Sequence, residues 1–184
     1  MIDRRTFLFG GAALVAAGAA PAAMAAPFRL DPKYAPRSVP YRGYAVGTIV
    51  VDTPNHFLYY VTGPGTALRY GVGVGRQGLA LKGSAIVGRK AEWPSWRPTD
   101  AMIKRSPKKY ARYADGMRGG PGNPLGARAL YLYRNGVDTM YRIHGTNEPA
   151  SIGRSVSNGC VRMVNDHVIQ LYGRVPVGTP VVVL

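Results

Sequence analysis

The chain has 184 residues, of which 46% are hydrophobic, and a formal net charge of +15. This length suits one domain with a real core, and the hydrophobic content excludes general disorder. The 24 glycines and 15 prolines are scattered along the chain, a pattern typical of a turn-rich, mainly β protein. The positive charge indicates an anionic partner.

Residues 1–25 have the pattern of a bacterial signal peptide. A charged start with Arg4 and Arg5 precedes an apolar run from Phe9 to about Ala20, and Ala23–Ala25 is a small-x-small cleavage site. The paired arginines resemble a twin-arginine signal, with Sec export as the alternative. The apolar run is short for a membrane span, so we expect cleavage and no stable anchor. An exported protein rarely meets nucleic acid, so peptidoglycan carboxylates, lipid head groups and surface glycans are the anionic partners we consider.

The first half of the domain is predicted to consist of strands after an irregular lead-in at residues 26–42. Alternating or continuous apolar runs bounded by turn residues predict the strands. They are Ala45–Asp52, Phe57–Val61, Ala67–Val74 and Ser84–Arg89, with a closing strand at Thr179–Leu184.

The middle of the chain is predicted to be irregular. Trp93–Thr99 contains two prolines and two tryptophans, and Thr99 is a suitable cap for a short helix over Asp100–Arg105. Ser106–Gly126 is long for a loop in a compact domain, and such loops are often functional lids. Trp93 and Trp96 either line a substrate groove or pack in the core.

The strongest local signal is a hairpin. Ala129–Tyr133 and Val137–Ile143 flank Arg134-Asn135-Gly136, and Asn-Gly favours the tight turn between antiparallel strands. A further helix is predicted at Asp166–Tyr172, capped by Asn165 and ended by Gly173. The fold predicted is a mainly β, sandwich- or barrel-like domain with a mixed sheet and one or two short helices.

Cys160 is the only cysteine and follows His144 by sixteen residues. A lone thiol in an oxidising compartment cannot form an internal disulfide, so a chemical role is favoured. A thiolate attacks carbonyls, and a histidine base can generate it. The backbone N–H groups of Gly159 and Cys160 could face an oxyanion. Arg162 would share a face with Cys160 and either bind a substrate carboxylate or lower the thiol pKa.

The alternatives at these positions are structural. Cys160 could be a small buried hydrophobe, but Asn158 and Gly159 do not look like core. Gly73–Gly78 matches G-x-G-x-x-G, yet the following residues lack the helical periodicity that dinucleotide binding requires. His56 and His167 lack neighbours at ligand spacing, so no metal site is predicted.

Several motifs in order closely resemble the L,D-transpeptidase catalytic domain family (YkuD type). They are Val50–Pro54, Glu92–Trp96, Asn123–Leu130, Ile143–Pro149 and Val156–Met163. The resemblance spans residues 43–184. It implies an enzyme that forms or remodels peptidoglycan cross-links through a cysteine acyl-enzyme.

The resemblance also implies roles for single residues. Cys160 would be the nucleophile, His144 its base, and Gly145 the residue whose carbonyl orients the imidazole. Arg162 would contact the donor peptide. Ser157, Asn158 and Gly159 complete the predicted substrate-binding set. Many members have histidine where this chain has Asn158, which can donate a hydrogen bond but cannot titrate.

The predicted function is that of a periplasmic L,D-transpeptidase. Cys160 would attack a donor tetrapeptide, D-alanine would leave, and an acceptor amine, possibly on a wall-anchored protein, would resolve the thioester. No cofactor is expected, because acyl exchange conserves bond energy. A hydrolase with the same site, an L,D-carboxypeptidase or an amidase, stays open. A non-catalytic wall-binding protein would be favoured if His144 and Cys160 lay far apart.

Overall fold

A computed structural model of the chain describes residues 28–184, so the predicted signal peptide lies outside the described residues. The strands are β1 Arg37–Pro40, β2 Ile49–Asp52, β3 Phe57–Gly63, β4 Thr66–Gly71, β5 Val74–Gly75, β6 Gly83–Glu92, β7 Arg128–Arg134, β8 Val137–His144, β9 Ser155–Ser157, β10 Val161–Arg162 and β11 Pro180–Val183. The α-helices are α1 Asp100–Arg105, α2 Pro107–Tyr110 and α3 Asn165–Arg174, and short 3-10 turns cover Pro32–Tyr34, Ala111–Tyr113 and Pro149–Ser151.

Nine strands form one mixed sheet in the order β1-β4-β3-β2-β11-β6-β7-β8-β10. β11 runs parallel to β2 and β10 parallel to β8, while the other neighbours are antiparallel. β5 and β9 form a separate parallel pair. The predicted mainly β class with a mixed sheet and few short helices is confirmed, and α2 is one short helix more than predicted.

The core lies between the centre of the sheet and α3. β2 is fully buried at Ile49, Val50 and Val51, and Val168 and Leu171 of α3 join the same apolar cluster. Each aliphatic side chain buried there stabilises the fold by roughly 1.5–3 kcal/mol. β7 contributes Leu130 and Leu132 to this core, whereas the alternate residue, Tyr131, faces a cleft on the other side of the strand.

The Asn-Gly hairpin is confirmed. β7 and β8 pair antiparallel, and Asn135 and Gly136 have φ of 51° and 79°. Both residues tolerate positive φ, which this turn requires. The ladder is interrupted between Tyr131 and Tyr133, and Met140 opposite has φ of 64°. β8 therefore carries a bulge four residues before its last residue.

The prediction of an irregular lead-in was wrong at Arg37–Pro40. These residues form β1, which pairs antiparallel with β4 at the edge of the sheet. An edge strand tolerates proline because its outer N–H groups need no partner in the sheet. The prolines and glycines around β1 therefore masked it.

Other boundaries also differ from the predictions. The strand predicted at Ala67–Val74 is divided into β4 and β5, because Gly73 pairs with Arg162 instead. β6 extends three residues beyond the predicted Arg89. Gly78 is followed by a turn and then by β6, so Gly73–Gly78 lacks the helix that dinucleotide binding needs.

The helix predictions were right for α1 and partly wrong for α3. The Thr99 hydroxyl accepts a hydrogen bond from the Met102 N–H at 3.2 Å, which caps α1 as predicted. α3 begins at Asn165 and runs through Gly173 to Arg174. Its cap residue is Val164, so the side chain of Asn165 is available for another contact.

None of the helices within residues 28–184 has both the length and the apolar character needed to cross a membrane.

Candidate active site

The parallel pairing of β8 and β10 brings His144 close to the segment that carries Cys160. Arg162 lies beside His144 and Val161 beside Ile143, and the Met163 N–H donates to the His144 carbonyl at 2.8 Å. The same register, continued by one residue, places Cys160 beside Arg142. The hairpin supplies a rigid strand for His144, and β10 delivers the thiol to its flank.

His144 is held in one tautomer. Its side chain is 4% exposed, and Nδ1 lies 2.5 Å from the Gly145 carbonyl oxygen. A carbonyl can only accept, so Nδ1 carries the proton and donates it, which leaves the lone pair on Nε2. The orienting role predicted for Gly145 matches this contact, although the roles of the site residues stay predictions.

His144 is neutral at neutral pH. Burial lowers the pKa of His144 to about 4, and the charge of Arg162 acts in the same direction. The hydrogen bond to Gly145 opposes this change without reversing it. A neutral imidazole with a free Nε2 lone pair is the form that accepts a proton.

Cys160 is half-buried, and its Sγ lies 3.9 Å from the Met140 carbonyl oxygen, to which it donates. Burial raises the pKa of the Cys160 thiol. The backbone N–H of Arg142 and the charges of Arg142 and Arg162 lower it by less. The expectation that Arg162 lowers the thiol pKa is therefore right in direction, but burial dominates.

His144 and Cys160 line one cleft of about 1180 Å³. No hydrogen bond joins Cys160 Sγ to the His144 ring among the contacts of residues 28–184. In enzymes without substrate such bonds are often long and form only in the complex. The cleft is strongly basic, because eight Lys and Arg side chains line it against two carboxylates, those of Asp115 and Glu148.

Ser157 and Gly159 shape the turn before the thiol. The Ser157 hydroxyl donates to the Cys160 carbonyl at 2.6 Å and accepts from the Gly159 N–H at 3.1 Å. Ser157 is 2% exposed, so its hydroxyl is used within the turn. The Gly159 N–H is likewise used, which contradicts the expectation that it faces an oxyanion. The Cys160 N–H has no acceptor within residues 28–184 and is the remaining donor.

Arg162 is engaged by a carboxylate of the protein. One of its terminal nitrogens lies 2.7 Å from Glu148 Oε2, and the Arg162 side chain is 17% exposed. Its Nε is buried without a partner in the described part of the chain. The predicted contact of Arg162 with a donor peptide stays a prediction. It would require the guanidinium to bind the peptide in addition to Glu148 or in place of it.

Asn158 joins the thiol turn to the helical segment. Its Nδ2 donates to the Tyr110 hydroxyl at 3.1 Å, and its Oδ1 accepts from Arg105 at 3.0 Å. Residues 105–118 supply much of the cleft wall, and the lid predicted for Ser106–Gly126 stays a prediction. Trp96 lies in the cleft wall against Tyr110, whereas Trp93 is 45% exposed and belongs neither to the core nor to the cleft.

Asn165 is a positioning residue that the sequence analysis assigned to a helix cap. Its Oδ1 accepts from the N–H of Ala127 at 3.0 Å and of Thr146 at 3.2 Å. A Cβ on Gly145 would lie 2.2 Å from this oxygen, so a residue with a side chain would clash with the Asn165 amide and only glycine fits. The amide thus fixes the backbone that carries the acceptor for His144.

Arg142 was also missed, although a signal for it existed. It precedes His144 by two residues on a strand and therefore projects to the same face. It forms a bidentate pair with Asp138 at 2.7 and 3.0 Å, and the Asp138 carboxylate also accepts from the Met140 N–H. This pair braces the bulge of β8 beside the thiol.

The described residues contain no group of three or more His, Cys, Asp or Glu side chains placed to hold a metal ion.

Comparison with known proteins identifies a family that matches most of this chain. The L,D-transpeptidase catalytic domain (YkuD) matches residues 47–183. The chain is 34% identical over 140 residues to a probable L,D-transpeptidase, ErfK/SrfK, of Escherichia coli K12, covering 75% of this chain and 44% of that protein. The Salmonella typhimurium relative of that name is 36% identical over 141 residues, again covering 75% and 44%. The chain thus spans less than half the length of these curated relatives.

Several solved structures resemble the fold, among them the following two. One is described as a probable carnitine operon oxidoreductase from Brucella melitensis, with 54% identity, a TM-score of 0.59, and 84% of this chain and 96% of that chain covered. The other is an L,D-transpeptidase from Mycobacterium smegmatis, with 20% identity, a TM-score of 0.53, and 74% and 58% covered. At 20% identity the second likeness concerns the fold alone. The match over residues 47–183 and the curated relatives establish that the chain belongs to the L,D-transpeptidase catalytic domain family.

Proposed function

We propose that the protein is a periplasmic cysteine L,D-transpeptidase that joins peptidoglycan stem peptides through a thioester. The observation that carries this proposal is the shared cleft of His144 and Cys160, with His144 Nδ1 held by the Gly145 carbonyl. An imidazole fixed in this tautomer directs its basic nitrogen away from Gly145 and leaves it free for a proton. The family match supports the substrate class.

In the first half-reaction Cys160 Sγ attacks the carbonyl carbon of the peptide bond before the terminal D-alanine. The thiol proton passes to His144 Nε2 as the S–C bond forms. The tetrahedral intermediate then collapses, the C–N bond breaks, and the amine of D-alanine takes the proton from His144. The stem peptide is left as a thioester on Cys160.

The second half-reaction repeats the proton transfers in reverse. An acceptor amine attacks the thioester carbonyl and gives a proton to His144. The C–S bond breaks, an amide forms, and Cys160 takes the proton back. The Cys160 N–H, which has no acceptor within residues 28–184, is free to donate to the developing oxyanion in both steps.

The proton transfers begin from a neutral pair. Burial raises the pKa of Cys160 and lowers the pKa of His144 to about 4, so both groups are uncharged at neutral pH. We infer that His144 acts as a general base during the attack, instead of pairing with a thiolate formed beforehand. A buried neutral pair also avoids the desolvation cost of a standing ion pair.

Two further features support the location and the substrate. We infer that the export signal predicted at residues 1–25 takes the chain out of the cytoplasm, to the compartment in which stem peptides are cross-linked. The cleft carries eight cationic side chains, which favour the free carboxylates of these peptides. A relative over most of this chain is itself named a probable L,D-transpeptidase.

The proposal is tested by incubating the purified protein with disaccharide tetrapeptides and identifying the products by mass spectrometry. We expect cross-linked dimers and free D-alanine. Cys160→Ser and His144→Ala should abolish them, while His56→Asn should not, because His56 lies outside the cleft and Asn tolerates its φ of 60°. Trimmed monomers without dimers would identify a hydrolase. Unchanged substrate with intact folding would contradict catalysis.

A further inference from the structure

Four side chains form a row across neighbouring strands on the cleft side of the sheet. Arg89 of β6 is the partner of Tyr131 of β7, and Tyr131 is the partner of Arg142 of β8. The β8–β10 register adds Cys160 beside Arg142. All four residues line the cleft. Adjacent strands are about 4.8 Å apart, so the Tyr131 position lies roughly 10 Å from the Cys160 position along the row.

Tyr131 is a rigid platform for the two arginines. It is 6% exposed, and the Arg89 Cζ lies 3.4 Å and the Arg142 Cζ 4.3 Å from the centre of its ring. A guanidinium stacked on an aromatic face loses little hydrogen-bonding capacity, because its N–H donors project from its own edge. The stack therefore fixes the Arg89 head group while leaving those donors available.

The two arginines differ in their charge balance. Arg142 is paired with both oxygens of Asp138 and also donates to the Tyr141 carbonyl. Arg89 is exposed and has neither a carboxylate nor a hydrogen-bond partner for its side chain within residues 28–184. Arg89 is thus the uncompensated and oriented cation of the row, suited to a bidentate anion.

We propose that Arg89 binds a free carboxylate on the acyl part of the donor stem peptide, upstream of the bond that Cys160 cleaves. This inference rests on the proposed function. The terminal carboxylate leaves with D-alanine and is within one residue, about 3.5 Å, of the attacked carbonyl, too near the thiol to reach Tyr131. A carboxylate on the preceding residue, or at the end of a long side chain on the attacked residue, spans the required distance.

The test uses three tetrapeptide donors that differ in single carboxylates. One has both upstream carboxylates free, one is amidated at the second residue, and one is amidated on the side chain of the third residue. For the wild-type protein we expect a lower kcat/KM for the donor in which the carboxylate that binds Arg89 has been converted to an amide. The fall should be about tenfold and should come mainly from a higher KM. Whichever amidation produces the fall identifies the source of the carboxylate.

Arg89→Gln should lower kcat/KM for the free donor by a similar factor and should not lower it further for the sensitive amidated donor. Arg89→Lys should fall between, because it keeps the charge and loses the fork. The matched control is Arg69→Gln, since Arg69 also lies over an aromatic ring, 4.1 Å from the Phe57 ring centre, but outside the cleft. Equal losses for all donors, or the same pattern in the control, would overturn the inference.

Binding separates this inference from the proposed reaction. Titrating the three peptides into the Cys160→Ala protein by calorimetry requires no turnover. Discrimination between free and amidated peptides that is lost with Arg89→Gln supports the Arg89 site even if the wild-type protein forms no cross-links. Equal affinities for all three peptides would refute it even if cross-links form.

Discussion

The side-chain amide of Asn158 donates to the hydroxyl of Tyr110 at 3.1 Å, which links the residue two before the thiol to the helical wall of the cleft. Arg105 completes the link from α1. A histidine at this position could not make both contacts in the same way, since the neutral ring offers one donor and one acceptor in a different geometry. The amide therefore has a definite role in a chain that lacks the histidine.

We predict that Asn158→Ala loosens the helical wall. The variant loses both bonds, so amide exchange of residues 105–113 should accelerate, and KM should rise several-fold with a smaller change in kcat. Hydrogen exchange and steady-state kinetics measure these effects. Tyr110→Phe removes one of the two bonds and should give a smaller change. Unaltered exchange in both variants would mean that the link does not hold the wall.

The second prediction concerns pH. The pKa of His144 is lowered to about 4, so its basic form persists as pH falls below the ordinary histidine range. A carbapenem has a strained β-lactam carbonyl that a thiol can open, so it serves as a probe that stays bound to Cys160 as a thioester. Its acylation of Cys160 should continue from pH 8 to about 5 and decline only as His144 becomes protonated near pH 4. Intact-protein mass spectrometry should find one adduct, absent from Cys160→Ala.

The His144→Ala variant supplies the control for this profile. Without the base, only the small thiolate fraction reacts, and burial raises the pKa of the thiol. Its acylation rate should therefore fall about tenfold for each pH unit below that pKa. A wild-type profile that declines around pH 6.5 would indicate an exposed, ordinary histidine and contradict the neutral pair.

The third prediction separates two roles of Asn165. As a helix cap it would tolerate Ser or Asp equally. As a clamp it needs an oxygen that reaches the N–H groups of Ala127 and Thr146. We expect Asn165→Asp to retain most stability, and Asn165→Ser and Asn165→Ala each to lower the free energy of unfolding by about 2–4 kcal/mol. Urea denaturation measures the free energy of unfolding. Equal stability of the Ser and Asp variants would favour the helix-cap role of Asn165 over the clamp.

Local patterns predicted the elements whose cause is local. The predictions from Asn135-Gly136 and Thr99 were correct, because a positive φ and a capped first turn depend on one or two residues. β1 was missed because an edge strand with proline has no strong local pattern. Its pairing with β4 is a property of the assembled sheet.

Candidate site residues could be predicted from the sequence only where they lie within a recognisable motif. The spacing of His144 and Cys160 carried the catalytic hypothesis, and the alternation on β8 could have added Arg142. The row from Arg89 to Cys160 depends on the registers of four strands, and the Asn165 clamp joins segments 38 and 19 residues away. No local pattern encodes such registers, so these contacts required the structure.

The last prediction concerns Gly159, whose φ is 129°. A Cβ here would lie 2.5 Å from Tyr141 Cε1 and 2.7 Å from the Leu79 carbonyl oxygen, and the Tyr141 hydroxyl is itself bonded to that carbonyl at 2.8 Å. Neither neighbour can yield without breaking this contact. Gly159→Ala should therefore lower the free energy of unfolding by about 2 kcal/mol or more and displace the thiol, so that acylation of Cys160 slows as well.

Gly173→Ala is the matched control, because Gly173 lies within α3 and a methyl group added there would have no neighbour within 4 Å. Alanine there should stabilise the helix by about 0.5–1 kcal/mol and leave acylation unchanged. Thermal denaturation and mass-spectrometric acylation kinetics, run on both variants, compare the two glycines. If Gly159→Ala kept wild-type stability and acylation, the turn before Cys160 would be more adaptable than its packing implies. The turn would then not hold the Cys160 N–H in one fixed orientation.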